Sequence, residues 1–208
     1  MSPGQLAIAR DKLAAAGQLA AVERFVEANI LDLSQFAARA FDVVVCYGGA
    51  LSYVRDSRAT AAKELTRVLK PGGMLLVSVM SRYGGMASTV GRGDAVLATP
   101  AAGLWDALAT GDLAPFPSRR TGLTHPGMHL YAANELGALF APYADVLEVA
   151  GSNVSTFEGN ARFEQVAGDP QIWANIVEVE RRLARQPGLV DAGSHIILAA
   201  RAKGHALH

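Results

Sequence analysis

The chain has 208 residues, half of them apolar, which suits one domain with a sizeable core. Nineteen basic side chains balance nineteen acidic ones, leaving no overall field to hold nucleic acid or an anionic membrane surface. A single cysteine, Cys46, excludes an internal disulfide and any CxxC metal or redox site, and makes a reducing cytoplasm the expected compartment.

In chain order, Pro3 to Ala16 reads as a helix carrying Leu6, Ile8, Ala9 and Leu13, with Gly17 as its stop. Val22 to Ala28 is a short strand candidate. Phe41 to Tyr47 holds the unbroken run Val43-Val44-Val45, the pattern of a strand buried on both faces. A helix follows from Ser57 to Leu69, with Ala61, Leu65, Val68 and Leu69 on its apolar face and Asp56 as the expected N-cap. Pro71-Gly72-Gly73 ends it, and Met74 to Met80 reads as a second buried strand.

Residues 81–131 are rich in glycine, proline, serine and threonine around an apolar stretch at Leu104–Leu108. A segment this long between elements is usually a lid or a binding cover. Ala132 to Tyr143 resumes as a helix and Val146 to Ala150 as a strand. Asp169-Pro170 opens another helix, expected to bury Ile172, Trp173, Ile176, Val177 and Leu183. His195 to Ala200 is the last strand, and the tail to His208 is expected to fray. Alternating apolar strands and helices give a single α/β domain, 1–208, with a mostly parallel sheet. Ligands of such sheets bind at the carboxyl ends of the strands, here near Asn29-Ile30, Cys46-Tyr47-Gly48-Gly49 and Ser81-Arg82.

Two stretches carry a family resemblance. Phe41-Asp42-Val43-Val44-Val45-Cys46-Tyr47-Gly48-Gly49-Ala50-Leu51-Ser52-Tyr53 resembles the fourth motif of class I S-adenosylmethionine-dependent methyltransferases. Arg67-Val68-Leu69-Lys70-Pro71-Gly72-Gly73-Met74-Leu75-Leu76-Val77 is similar to the helix-turn-strand that follows it. The resemblance implies a Rossmann-like sheet in the order 3-2-1-4-5-7-6 with the seventh strand antiparallel. Val22–Ala28 would match strand 3, Phe41–Tyr47 strand 4, Met74–Met80 strand 5, Val146–Ala150 strand 6 and His195–Ala200 strand 7. The family's glycine-rich turn after strand 1 and the acidic residue ending strand 2 have no counterpart, so an N-terminally truncated domain is expected, with strand 4 as an exposed apolar edge. Gly91-Arg92-Gly93 does not replace the turn, because it follows strand 5 and lacks the third glycine.

The resemblance implies S-adenosylmethionine as cofactor and a small molecule as methyl acceptor. Asn29 and Ile30 match positions that meet the adenine, and Asn29 can accept through its carbonyl oxygen, though it can equally cap residues 31–36. Cys46, Tyr47 and Gly48 match the strand exit beside the methionine and sulfur, with Cys46 as readily a small core residue. His125, His129 and Tyr131 lie in the segment that resembles the family's substrate cover, and His129 is the candidate base should the acceptor be a hydroxyl. Four-residue spacing of His125 and His129, without HExxH or a third ligand, does not make a metal site. Trp105 and Trp173 read as core anchors, and Ser52-Tyr53 as packing around the site. Short-chain dehydrogenase chemistry is disfavoured, since Tyr53 is followed at the required spacing by Ser57.

Two functions fit these residues. One is methyl transfer, impaired in the chain as given. The other is a non-catalytic methyltransferase-like fragment that self-associates or binds a partner, a homodimer through the strand 4 edge being the simplest form. No signal peptide is recognisable at the start and no apolar run reaches the ~18 residues of a membrane span. The methyl acceptor and the oligomeric state are not legible in the sequence.

Overall fold

A computed structural model of the chain describes residues 3–92, 101–117, 122–155 and 168–204. Its strands are β1 (Phe41–Cys46), β2 (Leu69–Met80), the two-residue β3 (Asp112–Leu113), β4 (Phe116–Pro117), β5 (Thr124–His125) and β6 (Met128–His129), then β7 (Ala144–Ser152) and β8 (His195–Ala202). Its helices are α1 (Pro3–Ala15), α2 (Ala50–Tyr53), α3 (Arg58–Arg67), α4 (Tyr83–Arg92), α5 (Ala101–Thr110), α6 (Ala133–Phe140) and α7 (Pro170–Leu183). The tail from residue 205, together with Gly93, Arg119 and Arg120, lies outside the described residues.

The main sheet has four strands in the order β1-β2-β8-β7. β1 pairs with β2 in parallel, and β8 runs antiparallel to both β2 and β7. This order corresponds to 4-5-7-6 of the expected sheet, including the reversed strand. Pro71-Gly72-Gly73 forms an excursion within β2, where the register passes from Phe41–Leu69 to Val43–Met74.

One face of the sheet holds the core. Leu75, Val77 and Val79 of β2 and Ile196, Leu198 and Ala200 of β8 are fully buried there against Ala61, Ala62 and Leu65 of α3 and Leu136 and Phe140 of α6. Each fully buried leucine-sized side chain contributes about 1.5–3 kcal/mol, so this layer dominates the stability of the sheet. α3 ends at Arg67 and α7 opens as read, with Asp169 accepting from the backbone N–H groups of Gln171 and Ile172.

Several expectations are corrected. Val22–Ala28 is not a strand; beyond it there is only an isolated bridge between Asn29 and Asp32. Glu23, Arg24 and Glu27 break its apolar pattern, and Arg24 instead lies over the Phe36 ring at 5.3 Å. β1 is not buried on both faces: Val43 is 52% and Val45 56% exposed, because no described element covers that side. The N-cap of α3 is Ser57 rather than Asp56, with no side-chain cap bond, because a short 3-10 turn over Arg55–Ser57 runs into the helix. α7 buries none of its residues, its apolar stripe lying partly or fully open. Trp105 (64% exposed) and Trp173 (45%) are not core anchors, since each sits on the outer side of its helix.

The loop-rich segment is also more ordered than its composition suggests. α4, α5 and the paired strands β3–β6 and β4–β5 form a cap with a small core of its own, Met86, Ala107, Leu113, Met128 and Leu130. The cap meets the sheet where Tyr131 N–H donates to the Met80 carbonyl and Arg82 N–H donates to the Tyr131 carbonyl.

Candidate active site

The carboxyl ends of β1 and β2 lead into the segments Cys46–Gly49 and Ser81–Arg82, as the parallel pairing requires. Gly48 and Gly49 turn the chain there with φ of 78° and 73°, a region that disfavours any side chain. The Gly48 N–H donates to Ser78 Oγ at 3.1 Å, and Ser52 Oγ accepts from the Met80 N–H at 3.0 Å. These two buried serines therefore fix the β1 exit against β2. Tyr47 stands half-exposed beside it, while Cys46 is buried, and that burial pushes its thiol pKa up.

Asn29 is exposed and its side-chain oxygen accepts from the Leu31 N–H at 3.0 Å, so it caps the following turn. One lone pair of that oxygen remains available. Arg67 holds the same segment from α3, donating to the carbonyls of Leu33 and Phe36, while Glu64 accepts from the Leu33 N–H.

Under the cap lies a cluster that sequence spacing did not reveal. His129 is fully buried, its Nδ1 2.8 Å from Asp112 Oδ1 and its Nε2 2.5 Å from Glu135 Oε1. Each ring nitrogen of His129 therefore has a carboxylate oxygen as its partner. The other oxygen of Glu135 accepts from Arg82 at 2.6 Å, and Arg58 stands 3.9 Å from the first. Arg82 also donates to the carbonyls of Ala109, Thr110 and Leu130. Gly111 lies at this junction with φ of 89°, and a Cβ there would collide with the Leu130 carbonyl and the Arg82 guanidinium. As placed, His129 has no nitrogen free to take a proton from an acceptor.

Tyr131 packs edge-on against His129 at 4.7 Å and is fully buried, yet its hydroxyl has no hydrogen-bond partner. Burial raises its pKa well above the ordinary phenol range, so the hydroxyl stays a donor. His125 belongs to a second group, stacked on Phe116 at 4.6 Å. The Gly127 N–H donates to its Nδ1, which leaves Nε2 to face the Tyr53 hydroxyl at 3.3 Å. No group of metal-binding side chains occurs among the described residues.

A family model described as a methyltransferase domain matches residues 1–77. That stretch runs from α1 into β2 and is the part of the chain that resembles this family. No curated protein matches it. Among solved structures, the [4+2]-cyclase SpnF is 20% identical, with a TM-score of 0.52 over 97% of this chain and 64% of its own. A methyltransferase from Methanosarcina mazei is 18% identical, with a TM-score of 0.51 over 86% of this chain and 67% of its own. A methyltransferase from Thermotoga maritima is 13% identical, with a TM-score of 0.51 over 90% of this chain and 69% of its own. The chain thus spans about two thirds of the length of these structures.

The two methyltransferase structures are named as S-adenosylmethionine-dependent. Asn29–Ile30 and Cys46–Gly49 are the described residues that would line such a cofactor. Among the described residues, no strand pairs with the outer edge of β1. Among the described residues, no helix is long and apolar enough to cross a membrane.

Arg82 stands at a strand exit that the sequence marked, but Arg58, Asp112 and Glu135 were missed because they come from three separate segments. The one available signal was Glu135 in the first turn of α6, six residues after His129.

Proposed function

We propose that the protein carries out S-adenosylmethionine-dependent methyl transfer to a small-molecule acceptor, which residues 81–131 cover as a lid. The observation that carries this reading is the buried, unpartnered hydroxyl of Tyr131 beneath that cover. Such a group costs roughly 1–3 kcal/mol until something accepts from it, and a polar atom of the acceptor is a suitable partner. Asn29, Ile30, Cys46, Tyr47 and Gly48 form the cofactor wall. His125 and Tyr131 face the acceptor, and His129 reaches it as a base only after one of its carboxylate bonds opens. The work of these residues is to orient the acceptor and to exclude water. Fold alone does not select the reaction, and the name of SpnF as a cyclase illustrates that point.

The test is calorimetric titration of S-adenosylhomocysteine, beside nuclear magnetic resonance of the Cys46–Gly49 amides. With this one wall as the contact, activity is impaired and binding is weak. Replacing Gly48 with Val removes it. Absence of any perturbation at these amides with millimolar ligand overturns the proposal.

A second reading is favoured by the unpaired β1 edge, whose Val43, Val45 and Tyr47 are each at least half-exposed on one face. An edge of this kind recruits another strand, which makes a non-catalytic module that self-associates. Sedimentation of the native chain against Val45→Lys separates the two: a dimer lost in the variant supports this reading, and a monomer in both removes it.

A further inference from the structure

The cap and the sheet have separate cores, and one side chain ties them with charge. Glu135 belongs to α6, which packs on the sheet with Leu136 and Phe140 fully buried beneath it. Its two oxygens point the other way. One accepts from His129 on β6 and the other from Arg82, which itself grips the carbonyls of Ala109 and Thr110 at the end of α5. His129 carries the tie onward to Asp112 on β3. Beside the backbone bonds at Tyr131, Glu135 thus joins α6 to β6 and to the arginine that grips the end of α5.

Charge supports the same reading. Arg82 and Arg58 both stand against Glu135, at 2.6 Å and 3.9 Å, and the His129 ring bridges Glu135 and Asp112. Removing one member leaves a partly buried charge without its partner, and that cost falls on the contact between cap and sheet. The apolar link is smaller: the cap core comprises five buried side chains, with Met80 the sheet residue packed against it.

The geometry points to Glu135 as a positioning residue: a latch that holds the cap closed over the exits of β1 and β2, with His129 as its cross-brace. This rests on residues 81–131 acting as a cover, but not on the identity of the ligand beneath.

Hydrogen–deuterium exchange of the native chain, Glu135→Ala and Asp112→Asn tests it without any ligand. Loss of the latch opens the cap locally while the sheet stays protected. The Leu130 amide, which donates to Gly111, should exchange roughly tenfold faster or more in Glu135→Ala, and about threefold faster in Asp112→Asn. Amides of Leu75–Val79 and Ile196–Ala200 should stay within about twofold of native. Cap and sheet accelerating together would mean that Glu135 merely stabilises the whole fold, and would overturn the proposal. Unchanged cap exchange would overturn it equally. Should Glu135→Ala fail to fold, the half-exposed Asp112 provides the milder variant that decides the matter. Failure of S-adenosylhomocysteine to bind would leave these outcomes untouched.

Discussion

Tyr53 and His125 are 72 residues apart in the chain and meet at 3.3 Å, through the phenol oxygen and imidazole Nε2. The Gly127 N–H occupies the other ring nitrogen, so the neutral ring donates to Tyr53 and leaves the phenol hydrogen free.

Burial lowers the His125 pKa. The neutral ring is thereby favoured in the folded chain, and the unfolded chain binds the proton more readily. Stability from this site is complete above the unfolded value of about 6.5 and is lost as pH falls through the lower folded value. His125→Phe, which can keep the stack on Phe116, should abolish this part of the pH dependence. Urea midpoints at pH 7.5 and pH 5.5 measure it; an unchanged difference in the variant would count against the assignment.

Gly111→Ala should destabilise the chain by about 2 kcal/mol or more, since a Cβ both occupies a left-handed backbone and meets the Leu130 carbonyl. Gly137→Ala is the control: its Cβ would meet nothing within 4 Å, and helix propensity favours the change. Denaturant titration of the two variants should move the midpoint in opposite directions.

Arg67 connects α3 to the segment bearing Asn29 and Ile30. Arg67→Ala leaves the carbonyls of Leu33 and Phe36 unbonded and should cost about 2 kcal/mol. The same arginine, through its hydrogen bond, holds the Glu64 pKa below the usual carboxylate range. That contribution is present above the unfolded value of about 4.3 and fades as pH falls through the lower folded one. Acid titration of stability should therefore be shallower in the variant.

Ser78→Ala removes the acceptor of the Gly48 N–H and should cost about 1 kcal/mol in stability. Because the glycine pair is no longer held, S-adenosylhomocysteine affinity should fall about fivefold or more. Equal affinity in native and variant chains, measured calorimetrically, would show that Ser78 does not shape the site.

The central strands were readable because their apolar runs are long and β-branched. What a run of valines does not encode is what lies on top of it, so β1 was recognised as a strand with an open edge while its open face was not. The helix cap at Asp169 was legible from two adjacent residues. The cap subdomain was not, because β3 to β6 are two residues each and carry no periodicity. His129 drew notice beside His125 and as a candidate base, but its setting depends on Asp112, Arg82 and Glu135, which only the topology gathers.

β8 lies between β2 and β7, so neither neighbour can pair across the sheet until residues 195–202 are available. During synthesis the Leu75–Val79 run therefore waits for more than a hundred residues with one edge unpaired, within reach of any other nascent chain. Contacts at this sequence separation form slowly, and yield in the cell should depend on chaperones that shield β2 until the ribosome releases its partner.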